Sequence, residues 1–288
     1  MLKKSSSKLF LVVPVFKGGS IFLDALKSAE NCGLSFDEMI VSFNEAGDQD
    51  FRTFKDACRT ADLSGKYTVW RTREAMDSLR HGRFIVDNMK ASSALNVLVF
   101  FLAHDDRILA QPQTDSMQRF FSSLDPSSVY FPSYSCCRVE EPNTITEVIE
   151  HDELITSEEF FWRTQRQNVP TSMSGMIVPL SAWDDANRIL LKSGSGARFE
   201  HLLATARQVK WVRFHMFIRT LIVSRPDSDA AYLTLLQHRR AAFCYVMAFA
   251  LSGRVVSYSS YIAITREIIK KSLGLMLAYV KINLKRRR

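Results

Sequence analysis

With 288 residues, 47% hydrophobic and 24% charged, the chain has a globular composition and length enough for one large core or one core plus a small extension. No run of about twenty uninterrupted apolar residues occurs, so no membrane-spanning helix is expected. Five cysteines without C-x-x-C spacing point to reduced thiols rather than a zinc site or disulfide framework, and the net charge of +8 is concentrated in residues 264–288, which hold eight Lys or Arg against one Glu.

The N-terminal Met1-Leu-Lys-Lys is basic, but the apolar run behind it is short and meets Pro14. A first strand is expected there, not a cleaved signal. Leu9–Phe16 reads as a buried strand that ends at Lys17 and Gly18-Gly19, and Ile21–Asn31 carries apolar residues at helical spacing. Met39–Phe43 is a second strand, followed by a polar, Gly-containing loop to Asp48. Strand, helix, strand with short loops predicts a βαβ unit and a mostly parallel twisted sheet flanked by helices. Neither G-x-G-x-x-G nor a G-K-[ST] phosphate loop follows a strand. A nucleotide on this sheet would therefore be handled by a metal rather than a glycine cradle.

Ala94–Ala103 carries the strongest signal: an apolar run, broken only by Asn96, that stops at His104-Asp105-Asp106. Such a run is a strand buried on both faces, and ligands of open α/β sheets sit at the carboxyl ends of strands. Adjacent carboxylates there suit Mg²⁺ or Mn²⁺, which prefer hard oxygen ligands. The alternative is a plain loop, where Asp is common.

Further along, Ser128–Tyr134 reads as another strand and Glu140–Leu154 as an acidic, exposed insertion. Phe160, Phe161, Trp162 and Trp183 form either a stacking surface for a sugar or part of the core. A Gly-rich loop at Gly194–Gly196 leads through Glu200 and His201 into an apolar helical start. Ala241–Gly253 is apolar nearly all round, as expected of a buried helix or a hairpin partner for the tail. From Ile264 onward, helical spacing gathers Ile269, Leu273, Met276, Leu277, Val280 and Leu284 on one face, with Lys270, Lys271, Lys281 and Lys285 on its flank and reverse.

Five segments taken together resemble family-2 glycosyltransferases of the GT-A fold. They are Leu11–Lys17, Asp37–Asn44, Leu102–Leu109, Ser174–Pro179 and Gly196–Ala204, in the expected order over about residues 9–225. The resemblance implies an α/β GT-A catalytic domain over residues 1–230 and a helical extension with a basic amphipathic tail over 231–288. It implies transfer of a sugar from a nucleotide-diphosphate donor to an acceptor hydroxyl with inversion at the anomeric carbon. Asp106 is then the metal ligand, with Asp105 beside it nearer the ribose or diphosphate. Pro14, Phe16 and Lys17 would receive the nucleotide. Relatives often carry an Asp where this chain has Phe43, which leaves Asn44, Glu45 or Asp48 for the polar contact. Arg225 would touch diphosphate oxygens, although the His that relatives place in that region is missing. Ser174 and Gly175 would line the acceptor pocket. Glu200 is the candidate general base, in a position where relatives carry an acidic pair; here the second member is His201, which either shares the role or leaves it to Glu200.

The basic amphipathic tail is expected to meet an anionic membrane surface, or to dock its apolar face on the catalytic domain. A membrane contact would place the enzyme at the cytoplasmic face beside a lipid-linked saccharide acceptor in bacterial surface polysaccharide synthesis. Nucleic acid is not expected, because the charge is confined to one terminus without a binding motif. Two other classes remain open at the sequence level: a binding or scaffold protein on the same fold, and a nucleotidyltransferase.

Overall fold

The computed structural model describes residues 8–15, 22–44, 48–63, 65–92, 97–110, 115–138, 145–149, 153–166, 174–193, 208–221, 235–252, 255 and 257–286. In chain order the strands are β1 (Lys8–Val15), β2 (Glu38–Phe43), β3 (Thr68–Arg71), β4 (Val97–Phe101), β5 (Arg107–Ile108), β6 (Ser128–Arg138), β7 (Ile145–Ile149), β8 (Glu153–Thr156), β9 (Ile177–Pro179) and β10 (Gln208–Leu221). The helices are α1 (Phe22–Asn31), α2 (Asp48–Thr60), α3 (Ser78–Ser92), α4 (Asp115–Ser122), α5 (Ser157–Arg166), α6 (Leu180–Ser193), α7 (Leu235–Leu251) and α8 (Tyr258–Arg286).

All ten strands join one sheet, whose main path runs β3-β2-β1-β4-β9-β6-β10-β5. The half from β3 to β4 is parallel, with Val12 opposite Ile40 on one side and Phe101 on the other. The other half is mixed. β9 runs antiparallel between β4 and β6, β6 and β10 are parallel, and β5 and β8 lie antiparallel along β10.

The apolar runs split by period two into two cores. From β1 and β4, Phe10, Val12, Val97, Val99 and Phe101 face one layer, formed by α3, α5, α6 and α7. Leu9, Leu11, Val13, Leu98 and Phe100 face the other, formed by α1, α2 and α4. A strand covered on both faces cannot alternate with polar residues, which is why β4 is apolar throughout. Helix starts are capped locally. Asp77 accepts from the Arg80 N–H at 2.9 Å, Thr156 from Glu159 at 3.1 Å and Ser257 from Ser260 at 3.1 Å.

One expectation changes on folding, and one choice between two readings is resolved. Within the acidic segment Glu140–Leu154, Ile145–Ile149 pairs antiparallel with β6, and β8 pairs with β10. Net acidity hid the β-branched residues that make these edge strands. Of the two readings of the aromatic cluster, stacking surface or core, the fold takes the core. Phe160, Phe161 and Trp183 are fully buried, Phe161 stacks on Phe249 at 4.0 Å, and Trp183 meets Phe101 edge-on at 4.4 Å. The expected buried helix is present as α7, whose Tyr245, Val246 and Phe249 enter the same core and whose Tyr245 hydroxyl bonds Thr164 at 3.0 Å.

The packing of α3 on α6 matters for the site, because α3 reaches it. Asp184 takes Arg83 at 2.6 Å and Lys90 at 2.8 Å. Burial raises its pKa, but Lys90, Arg188 and Arg83 outweigh that and hold the carboxyl below its ordinary value. The helices approach closely at Gly82, where a Cβ would stand 3.3 Å from Asn187 Oδ1.

Candidate active site

Chain order reverses between β1 and β4: β1, β2 and β3 step one way across the sheet, and β4 is added on the other side of β1. The carboxyl ends of β1 and β4 therefore flank a topological switch point, where open α/β sheets leave a crevice for ligands. Pro14 stands at this point, although Pro is unusual in a central strand. Its tolerance follows from register. The Val15 carbonyl accepts from Asn44 at 2.8 Å toward β2, and the Val12 carbonyl accepts from Leu102 at 3.0 Å toward β4. By alternation the nitrogen of Pro14 faces the β4 side, beyond the last paired residue of β4. No ladder donor is lost, and the two strands part there.

Into this gap turns Ala103-His104-Asp105-Asp106, closed by the Asp106 N–H on the Ala103 carbonyl at 3.1 Å. Asp106 is 3% exposed and Asp105 is half-buried. The turn is anchored on both sides. Ahead of it, the Ala103 N–H donates to Ser174 Oγ at 3.0 Å, and Gly175 N–H to the Phe101 carbonyl at 2.6 Å. Gly175 takes φ +77°, a left-handed conformation that glycine adopts without a Cβ penalty. Behind it, β5 pairs with Phe217 and Ile218 of β10, and the Ile108 N–H reaches Ser28 Oγ at 2.9 Å. Ser174, expected with Gly175 at the acceptor side, thus bonds the carboxylate turn directly, while Gly175 bonds the end of β4 just ahead of it. The two adjacent carboxylates are hard oxygen donors of the type that Mg²⁺ or Mn²⁺ takes, so the donor chemistry fits a divalent cation. Among the described residues no group of three or more His, Cys, Asp or Glu gathers as a metal cage.

At the end of β2, Phe43 turns into an apolar cluster with Phe51 and Phe54. Asn44 turns the other way. Its amide nitrogen donates to the Met76 carbonyl at 2.8 Å, and its amide oxygen accepts from the Met76 N–H at 2.9 Å. The carboxamide holds the segment between β3 and α3 along the rim of the crevice. Asp48 opens α2, but its side chain lies outside the described residues, as do Phe16, Lys17, Glu45, Glu200, His201 and Arg225.

One pair at the site escaped the sequence reading. His81 Nε2 lies 2.8 Å from Ser42 Oγ, both buried, and ties α3 to the penultimate residue of β2, two positions before Asn44. The only sequence signal is a His on a helix face otherwise given to Ile85 and Met89. Burial pushes the imidazole down to about 4 from its ordinary 6.5, so at neutral pH it is uncharged. The unfolded chain binds this proton near 6.5 and the folded chain only near 4. Stability from the neutral ring is therefore present above about 6.5 and is lost as pH falls through that window. The loss amounts to about 3 kcal/mol. Urea midpoints from pH 7 to 4 should fall more steeply for the native chain than for His81→Asn. Equal slopes would contradict the assignment.

No family model and no curated protein sequence matches the chain. Its fold is similar to solved structures of S. aureus TarS. For residues 1–349 of TarS in complex with UDP-GlcNAc the TM-score is 0.57 at 11% identity, covering 92% of this chain and 72% of that one. For the longer TarS chain it is 0.55 at 12% identity, covering 92% of this chain and 43% of that one. With the same fragment bound to UDP it is 0.54 at 12% identity, covering 91% and 70%. The chain has the GT-A fold, in the mixed α/β arrangement described above.

Proposed function

We propose that the protein is a metal-dependent, inverting glycosyltransferase that moves a sugar from a nucleotide-diphosphate donor to a lipid-linked saccharide acceptor. The acceptor belongs to bacterial surface polysaccharide synthesis at the cytoplasmic face of a membrane. The observation that carries this reading is the Asp105-Asp106 turn, anchored at the switch point of a GT-A sheet. TarS was solved with UDP-GlcNAc and with UDP, which supports a nucleotide sugar as donor here.

In this reading Asp106, with Asp105, would hold Mg²⁺ or Mn²⁺, which when bound supplies charge neutralisation for the departing diphosphate. Pro14, Phe16 and Lys17 receive base and ribose, with Asn44, Glu45 or Asp48 as the polar contact. Asn44 also holds the Met76 segment through its carboxamide. Arg225 adds positive charge at the diphosphate. Glu200, alone or with His201, takes the proton of the acceptor hydroxyl as its oxygen bonds the anomeric carbon. The bond to the diphosphate oxygen breaks on the opposite side of the sugar, and configuration inverts. Ser174 and Gly175 hold the carboxylate turn from the acceptor side.

Thermal denaturation against a panel of nucleotide sugars tests the reading. One donor class should raise the melting temperature by several degrees in the presence of Mn²⁺ or Mg²⁺, as expected when ligand exceeds its Kd about a hundredfold. A panel without any metal-dependent shift would overturn it.

A further inference from the structure

The helix α8 carries two apolar stripes, and the fold uses only one of them. Ile264, Ile268, Leu275 and Ala278 lie on the buried or half-buried side, where α8 packs on α7, and Ile264 and Ile268 reach the main core. Ser260 Oγ bonds Glu158 of α5, which fixes the start of the helix. Rotated by roughly half a turn, Tyr258, Ile262, Ile269, Leu273, Met276, Leu277 and Val280 point outward, with exposures from 40% at Ile262 to 81% at Tyr258. At about 1.5 Å per residue this second stripe runs on the order of 30 Å along the helix. Isolated exposed apolar residues are ordinary on a soluble protein, but a stripe of this length, interrupted at Thr265 and the exposed Arg266, marks an interaction surface.

We propose that this outward stripe of α8 is a lipid-binding surface that lies in the headgroup plane of an anionic membrane. The inference rests on the membrane location proposed above, but not on the donor chemistry. Three features select lipid as the occupant. The first is charge on the flank: Lys270 is exposed beside the stripe, and Arg239 of α7 packs over Gly274, with its Nη1 3.5 Å from where a Cβ would stand. Further along, the sequence carries Lys285-Arg286-Arg287-Arg288. The second is the placement of acid: Glu267, the one acid of α8, sits on the half-buried side, next to Lys270 at 3.4 Å. The outward face therefore carries no anion to repel a phosphate. The third is the edge opposite Lys270, where Tyr261 and Tyr279 are exposed with apolar rings and polar tips, a combination suited to a headgroup boundary.

A second copy of the chain is a poorer occupant, because pairing two such stripes would bring basic flanks together without an acidic partner. A membrane-spanning role is not required: no helix among the described residues is long and apolar enough to cross a bilayer. A helix with one apolar face and basic flanks lies along the surface instead.

Flotation of the full chain with vesicles, without donor, metal or acceptor, tests the proposal. At low salt the protein should float with phosphatidylcholine vesicles containing phosphatidylglycerol and not with phosphatidylcholine alone. Raising the salt should release it only in part, because the apolar share is not screened. The triple variant Leu273→Ser, Met276→Ser, Leu277→Ser should bind at least about tenfold more weakly with an unchanged melting temperature, since these side chains touch solvent rather than core. As a second readout, Leu277→Trp should shift its emission to the blue on the anionic vesicles and be quenched by brominated acyl chains. Failure to float, equal binding to neutral vesicles, or an unaffected triple variant would each overturn the proposal. So would a dimer that the triple variant dissolves in a protein that ignores vesicles. A protein that floats but turns over no donor would keep this inference and lose the glycosyl-transfer reading; an active enzyme that ignores vesicles would do the reverse.

Discussion

Asp106→Asn should lower glycosyl transfer by about 10²-fold or more while leaving the melting temperature of the ligand-free protein nearly unchanged. Asparagine keeps the shape of the side chain, and the turn around it is held by backbone and neighbours: Ala103 on Ser174, Ile108 on Ser28, and β5 on β10. What is lost is the negative charge of the proposed metal ligand at the switch point, where the diphosphate of the donor is expected. A hundredfold loss corresponds to about 2.7 kcal/mol of transition-state stabilisation. Asp105, half-buried in the same turn, should act mainly on donor affinity, so Asp105→Asn should raise KM for donor more than it lowers kcat. Steady-state kinetics across a metal titration reads both effects. Near-normal turnover by Asp106→Asn at low metal would remove the proposed ligand.

Glu200→Gln should lower kcat by about 10²-fold or more with donor binding intact, because the amide keeps size and hydrogen bonding but cannot take a proton. Donor affinity measured by thermal shift separates the two effects. The pH profile supplies a second readout: the acidic limb of kcat should disappear in the variant, since that limb reports protonation of the base. If His201→Ala is the more damaging substitution, the base is His201, and the departure from an acidic pair is its cause.

The parts of this fold that were legible in the sequence are those written in local periodicity. β1 and β4 are apolar runs because both of their faces are covered, and the run of β4 ends where the chain turns out of the sheet at Asp105-Asp106. The outward stripe of α8 was legible for the same reason, as residues three and four apart. Whether that stripe docks internally was not, since the answer depends on Leu275, Ile268 and Ile264 providing a separate face for α7. The roles of Ser174 and Gly175 were also hidden. Their hydrogen bonds to Ala103 and Phe101 span more than seventy residues and exist only once β9 lies beside β4. Asn44 shows the limit from another side. Its residue type suits a nucleotide contact, and no local pattern announced the two hydrogen bonds that its carboxamide makes to the Met76 backbone. His81 is a long-range case as well, because its partner Ser42 lies on another element and neither residue belongs to a motif.

The most direct measurement of the central claim is the product released from the donor. Incubated with an accepted nucleotide sugar, its saccharide acceptor and Mn²⁺, the protein should release nucleoside diphosphate in step with glycosylated acceptor. Chelation should stop the release, and Asp106→Asn should reduce it by the factor given above. Release of inorganic pyrophosphate in place of nucleoside diphosphate would indicate nucleotidyl transfer instead. Nucleotide binding with no product of either kind would leave a binding protein on a glycosyltransferase fold, contradicting the account.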